Sequence, residues 1–349
     1  MQVILLDLEM ESVRVMFIKF KQHSHLLGGL FLLIGCSNVM SNNITEFEWD
    51  ATESAPEHYP MEIIKGDFIF KGESSKGLYI PSGGTLIEGW GNPVSSHVTG
   101  AKFKPLPDRL KITFFSYAEK QFYQGEFKLP YDDILDLFQQ GVANNPKHPT
   151  ASRIMVGVAP GGAVAVWVIG SGDRIEVFFG QAKKIELSPS QAFALPFKNK
   201  AQSDEYMHNG LIEVLEQDEI ENLKKNGTPL GLWSRYRQKF EWDIILTKGF
   251  PLSDVGFKFL NGERSEANDI ILRPIPKEVA FDTVVNNEEY IFVVKFDEFE
   301  IIEALEKLGA NNKKVYIEFE PRIPRKDLKA RIYNENDSIT LRKFVSDDW

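Results

Sequence analysis

Cysteine occurs once in the 349 residues, at position 36, so the chain closes no disulfide on itself and must draw its stability from packing. Histidine is nearly as scarce. Beyond residue 35 only His58, His97, His148 and His208 remain, with no pair at helical ligand spacing and no cysteine to help them, so neither a metal centre nor a cofactor is expected. Cations are in deficit: 40 Lys and Arg stand against 50 Asp and Glu, a formal net charge of −10. That balance argues against nucleic acid, whose phosphate backbone is gripped by clustered Lys and Arg, and against a basic patch on anionic lipid. Two glycine-rich stretches lack what chemistry would need. Gly157-Val158-Ala159-Pro160-Gly161-Gly162 is followed by no Gly-Lys-Ser or Gly-Lys-Thr and reads as a turn at Pro160-Gly161. Gly170-Ser171-Gly172 lacks the flanks of a nucleophile elbow and reads as a hairpin turn. The apolar run over residues 26–35 is too short to span a bilayer as a helix, which takes about twenty residues.

That run has another reading. Lys19 and Lys21 give a basic head, residues 26–34 an apolar body and Gly35 a small residue before the cysteine, which is the pattern of a secretory signal. Met16 is the expected start, because Asp7, Glu9 and Glu11 place acids where the head should be basic. Residues 1–35 are therefore read as a signal peptide to be removed. Leu33-Ile34-Gly35-Cys36 resembles the lipobox of bacterial lipoproteins. The resemblance implies cleavage between Gly35 and Cys36, a thioether from the Cys36 thiol to diacylglycerol, and further acylation of the palmitate type. More than one acyl chain on one residue meets the requirement for stable anchoring, at about 0.8 kcal/mol per buried methylene. The plainer alternative is a free cysteine at the end of an ordinary signal or N-terminal anchor. Ser37 stands where an aspartate would, by the Gram-negative sorting pattern, favour the inner membrane, so the expected location is the outer membrane, periplasmic face.

The mature chain keeps the same acidity, since the acids of the leader cancel Arg14, Lys19 and Lys21. With 43% hydrophobic residues and 26 phenylalanines it can build real cores, and its length suggests about two domains. Residues 36–46 form a polar tether reaching at most about 35 Å. Phe47-Glu48-Trp49-Asp50 then opens a first domain over residues 47–239, and Phe240-Glu241-Trp242-Asp243 opens a second, diverged one over residues 240–349. Behind each copy the same order recurs. Leu106-Pro107 leads to a strand over residues 109–117, a return strand over 121–129 and a helical stretch from Tyr131 to a stop at Gly141. Ile275-Pro276 leads to strands over 279–285 and 290–296, joined at Asn286-Asn287, and to a helical stretch from Phe299 to Gly309. A further strand follows each helix, over 154–160 and 315–321. The expected fold class is α+β, two tandem related units, each an antiparallel sheet with hairpins and one or two packed helices; two unrelated hairpin-plus-helix units are the alternative. Only the first continues into a Gly161-Gly162 meander. Between the units residues 211–225 read as one helix ended by Asn226-Gly227, and Trp233, Tyr236 and Phe240 fall at helical spacing as packing residues.

Candidate site residues are few. Asp132, Asp133 and Asp136, like Glu300, Glu303 and Glu306, read as solvated helix faces and dipole partners. In the loop-like stretch over residues 81–93, Trp90 between two glycines either presents an aromatic anchor for a protein partner or tucks under the loop as a core residue. Trp90, Gly91 and Tyr117 are the candidate partner-binding residues; no catalytic residue is expected.

With Tyr59-Pro60, Trp90-Gly91, Tyr117, Glu119, Phe122-Tyr123, Leu129-Pro130, the Gly157 to Gly162 run, Trp167, and Gly227-Thr228-Pro229-Leu230-Gly231-Leu232-Trp233 with Tyr236, residues 46–242 resemble the bacterial lipoprotein family called domain of unknown function 2931. The family brings no established catalytic residues. Its members are often encoded beside type VI secretion effectors, including lipase-like ones, which implies immunity proteins. The expectation is a non-enzymatic, outer-membrane-anchored periplasmic lipoprotein that binds and occludes a phospholipase-type effector, with no small-molecule ligand. An envelope adaptor or structural lipoprotein without a toxin partner is the alternative, and a carboxylate-based hydrolase of envelope glycans a third reading.

Overall fold

The computed structural model describes residues 44–95, 98–141, 151–266, 272–322 and 327–348. The expected leader, the cleavage site at Gly35 and Cys36, the tether to residue 43, His97 and His148 lie outside the described residues.

The first half runs β1 (Glu46–Glu48), β2 (Asp50–Ser54), β3 (Met61–Phe70), β4 (Gly77–Tyr79), β5 (Thr85–Leu86), β6 (Phe103–Pro105), β7 (Pro107–Ser116), β8 (Gln121–Lys128), helix α1 (Tyr131–Gln140), β9 (Ala151–Ala159), β10 (Ala163–Gly170) and β11 (Arg174–Gln181). Helix α1 has Asp132 and Asp133 in its first turn, buries Ile134 and Phe138 one turn apart, and stops at Gly141 with φ 90°.

A connecting region follows, with β12 (Lys183–Ile185), α2 (Pro189–Ala192), α3 (Lys200–Ile212), α4 (Gln217–Asn226) and α5 (Leu232–Arg235). The single helix expected over residues 211–225 is two helices. Leu211 belongs to α3, whereas α4 starts afresh where Glu216 and Glu219 cap one another's backbone, satisfying the free N–H groups of a new helix end. Nor do Trp233, Tyr236 and Phe240 share a helix. Trp233 lies in α5, but Phe240 is already in β13 (Lys239–Leu246), where Trp242, Ile244 and Leu246 are buried in alternation and the period of two prevails.

The second half continues with β14 (Ser253–Phe259), β15 (Arg264–Ser265), β16 (Leu272–Pro274), β17 (Pro276–Val285), β18 (Glu288–Phe296), α6 (Glu298–Leu308), β19 (Val315–Arg322), β20 (Asp327–Tyr333), β21 (Ser338–Thr340) and β22 (Phe344–Asp348). Asn286 and Asn287, φ 53° and 66°, make the expected turn of the β17–β18 hairpin. Asp297 caps α6 by accepting from the Glu300 N–H at 2.9 Å.

The fold is α+β, with its main strands in a nine-stranded sheet (β2-β9-β10-β11-β15-β14-β17-β18-β22), a six-stranded sheet built on β12-β8-β7-β3-β4, and a five-stranded sheet (β16-β13-β19-β20-β21). The nine-stranded sheet crosses from one half to the other where Arg174 of β11 pairs with Arg264 of β15. In the first half β2 pairs parallel with β9, and in the second β13 pairs parallel with β19. The Trp49 indole donates to the Pro105 carbonyl at 3.3 Å and the Trp242 indole to the Pro274 carbonyl at 3.0 Å. Lys104 sits 5.8 Å over the Trp49 ring and 3.5 Å from Asp50; Arg273 sits 5.2 Å over Trp242 and 3.9 Å from Asp243.

The six-stranded sheet faces β2, β9 and β10 across one core, in which Ile154, Val156, Val158, Val164, Val166 and Val168 meet Leu110, Ile112 and Phe114. The intervening residues Met155, Ala163, Ala165 and Trp167 point into a second core shared with the C-terminal half. Strands β9 and β10 are thus buried on both faces, which is why their sequence is almost continuously apolar. On the far side of the six-stranded sheet Phe115, Tyr117, Phe122 and Met207 form a third, smaller cluster under α2 and α3.

Candidate functional site: an aromatic junction

Residues far apart in sequence meet where the two halves share a core. Trp90 lies edge-on to Trp167 at 5.1 Å and 6.5 Å from Trp233, which in turn meets Tyr59 edge-on at 5.7 Å. The loop that delivers Trp90 is tied to the end of β2: the Ser54 hydroxyl donates to the Gly89 carbonyl at 3.0 Å and accepts from the Gly91 N–H at 2.9 Å. A Cβ at Gly91 would lie 2.4 Å from the Gly262 Cα, so the two loops touch through backbone and only glycine fits. A Cβ at Gly157 would meet the Trp167 ring at 2.6 Å and Trp90 at 3.0 Å.

Hydrogen bonds reinforce the contact. Trp167 Nε1 donates to Asn261 O at 3.2 Å, Arg174 Nη1 to Gly262 O at 3.0 Å, and the Glu176 N–H to Glu263 Oε1 at 3.1 Å. Arg237 clamps Glu176 through two hydrogen bonds, at 2.9 and 2.6 Å, and stacks 3.5 Å over the Phe179 ring. Burial pushes the Glu176 carboxyl up to about 7 against the pull of Arg237, and lowers Arg237 against the pull of Glu176. Both shifts say the same thing: desolvation outweighs the attraction of the pair. Burial, helped by Arg264, also lowers Arg174 to about 10. At the edge of the junction burial raises both the Glu298 carboxyl and the Tyr236 phenol, each acting on the other.

Trp90, at 7% exposure, is a core residue; the reading of it as a displayed anchor is corrected by its burial between Trp167 and Trp233. Gly91 is buried against Gly262. Tyr117, also buried, lies in the third cluster, donating to Glu62 at 2.5 Å. The structure therefore brings Trp90 and Gly91 together and leaves Tyr117 elsewhere. Asp132, Asp133 and Asp136 are solvated, while Glu300 accepts from the Arg342 and Lys343 N–H groups and Glu306 pairs with Arg235 at 2.6 Å. The Gly161 N–H donates to Glu119 at 2.8 Å, and Glu119 accepts from Tyr123 at 2.7 Å; this is a braced turn. His58 contacts Glu219. Among the described residues no three His, Cys, Asp or Glu converge as a metal site, and the grooves of about 560, 550 and 440 Å³ are open ones on the first half and the connecting region. Glu176, in a strand, and Arg237 and Glu263, in the connections between elements, escaped sequence reading, because nothing marks a charged residue in either setting as buried until its partner elements are known.

A family model described as protein of unknown function (DUF2931) matches residues 37–231, more than half of the chain. No curated protein and no solved structure matches it.

Proposed function

We propose that this chain, which belongs to the DUF2931 family of proteins of unknown function, is a non-catalytic binding protein held by a lipid on Cys36 at the periplasmic face of the outer membrane. In this reading it is an immunity protein that occludes a phospholipase-type effector of type VI secretion. The observation that carries the non-catalytic part is how the buried acids are engaged. Glu53 accepts from Ser95, Glu62 from Tyr117, Asp173 from the Glu266 N–H and Glu176 from Arg237, so these carboxylates serve packing contacts of their own chain. The lipid anchor is supported by Leu33-Ile34-Gly35-Cys36 with Ser37. We propose further that residues 240–349 are a diverged copy of the first unit; the paired Trp-to-Pro hydrogen bonds and the cation on each Trp support this.

Deleting the gene while its neighbouring effector gene is intact should make cells sensitive to attack by their siblings; unaltered survival would count against the immunity role. Mass analysis of the mature N-terminus should find a chain that begins at an acylated Cys36. An unmodified thiol, or residues still preceding it, would remove the anchor.

A further inference from the structure

We infer that the outward face of the β1–β6 ribbon, together with the turn leading into β6, is a seat on the phospholipid surface to which the chain is anchored. This rests on the lipid-anchor reading above. Ile44 lies eight residues beyond Cys36, and eight residues span at most about 29 Å when fully extended. Wherever Cys36 is acylated, the Ile44 end of the folded domain is therefore kept within about 29 Å of the bilayer surface.

Along this short ribbon large apolar side chains lie open to solvent: Ile44, before β1, is 50% exposed, Phe103, opposite Glu48 on β6, 58%, and Val98, in the turn leading into β6 beyond Phe103, 76%. The direction of Phe103 follows from the ribbon. Phe47 packs on Phe138 at 5.3 Å and its register partner Lys104 lies over Trp49, so this pair faces inward. The alternation of a strand then turns Glu46, Glu48, Pro105 and Phe103 outward. Lys102 stands beside Phe103, its ammonium 5.7 Å from the ring and 3.5 Å from the Glu48 carboxylate. An exposed ring next to an ammonium on a flexible stem suits the headgroup boundary: the ring enters the acyl region while the cation stays among phosphates. The same cation offsets one of the two carboxylates between Phe103 and Ile44. A few side chains make a poor protein interface, which needs a desolvated apolar centre, but they suffice for a surface already held within tether reach.

The second half supplies an internal control. Leu272, 53% exposed, occupies on β16 the register position that Phe103 occupies on β6, opposite Glu241 as Phe103 is opposite Glu48, yet β13, with which it pairs, does not follow a lipid-bearing residue within a short tether as β1 does.

The test uses the full chain expressed in a Gram-negative host, with its mature form reconstituted into vesicles of phosphatidylethanolamine and phosphatidylglycerol carrying brominated acyl chains. Phe103→Trp, Val98→Trp and Leu272→Trp each add an indole at an exposed position, and quenching is read as the difference from wild type. The indoles added by Phe103→Trp and Val98→Trp should lose about half or more of their emission, as expected of groups at the acyl boundary, and that added by Leu272→Trp should lose little. Vesicle-bound protein with unquenched emission at both first-half positions, or with equal quenching at Leu272, would overturn the seat and leave the anchor standing. Protein that does not float with the vesicles would remove the anchor reading and the seat together. Flotation thus separates the two failures.

Discussion

Strands β9 and β10 in the first half and β19 and β20 in the second hold the same places in the order of strands, and their sequences differ as their neighbours do. From Ile154 to Val168 nearly every residue is buried, because one face meets the six-stranded sheet and the other meets the junction. In β19 and β20 buried residues alternate with Glu318, Glu320, Lys329 and Arg331, since only one face is covered. A pair of neighbouring strands thus reads as a continuous apolar run or as a strict alternation, depending on what lies on its second face. The first half is the hub of the molecule; the second is a flank packed on it.

Substitutions can break or sharpen that contrast. The largest effect is expected for Trp167→Ala, which empties a fully buried site, removes the hydrogen bond to Asn261 and leaves Trp90 without its edge-on partner. A loss of about 3–5 kcal/mol is expected in urea unfolding, whereas Tyr316→Ala, which breaks a stack with Tyr333 on the outer face at 5.5 Å, should cost about 1 kcal/mol. Equal losses would dissolve the distinction between hub and flank. Next comes pH. Glu176 of β11 is raised in the folded state to about 7 from 4.5, so the folded protein holds its proton more tightly. Its stabilising contribution is full below pH 4.5 and is lost as the pH rises toward 7, with a slope of at most about 1.4 kcal/mol per pH unit. Glu176→Gln should flatten the stability profile in that window. No such window is expected from β21, which carries Ser338, Ile339 and Thr340 in the corresponding place. Smaller still, Trp49→Phe and Trp242→Phe should each cost about 1–2 kcal/mol, by losing one buried hydrogen bond and part of a ring. Closely similar losses in thermal unfolding would support the proposed duplication, and a lone effect at either site would weaken it. The smallest change is expected for Lys329→Ala, whose ammonium is exposed and 3.9 Å from Glu320, within about 0.5 kcal/mol of wild type.

Local order was legible in the residues. Proline, strand, turn, strand, helix and glycine follow one another in both halves where the sequence places them, and Asn286-Asn287 turns with positive φ at both positions. These features are set within a few residues of each other. The break between Ile212 and Gln217 was missed because apolar spacing alone runs straight through it; the available signal was Glu216 and Glu219 at capping-box spacing, with Asp218 beside them. The junction was not legible at all. Trp90, Trp167 and Trp233 come together only through sheet order, and a buried Trp between two glycines reads the same as an exposed one. Of the residues that carry the family resemblance, Tyr59, Trp90, Gly157, Trp167, Trp233 and Tyr236 gather there. They mark a structural centre.

The most direct measurement mixes the purified mature chain with the phospholipase-type effector that the proposed immunity role requires and follows hydrolysis of vesicle lipid as the chain is titrated in. The account expects hydrolysis to fall to background at about one chain per effector, as for a tight complex titrated well above its Kd. Hydrolysis that continues unchanged with the chain in excess would contradict it.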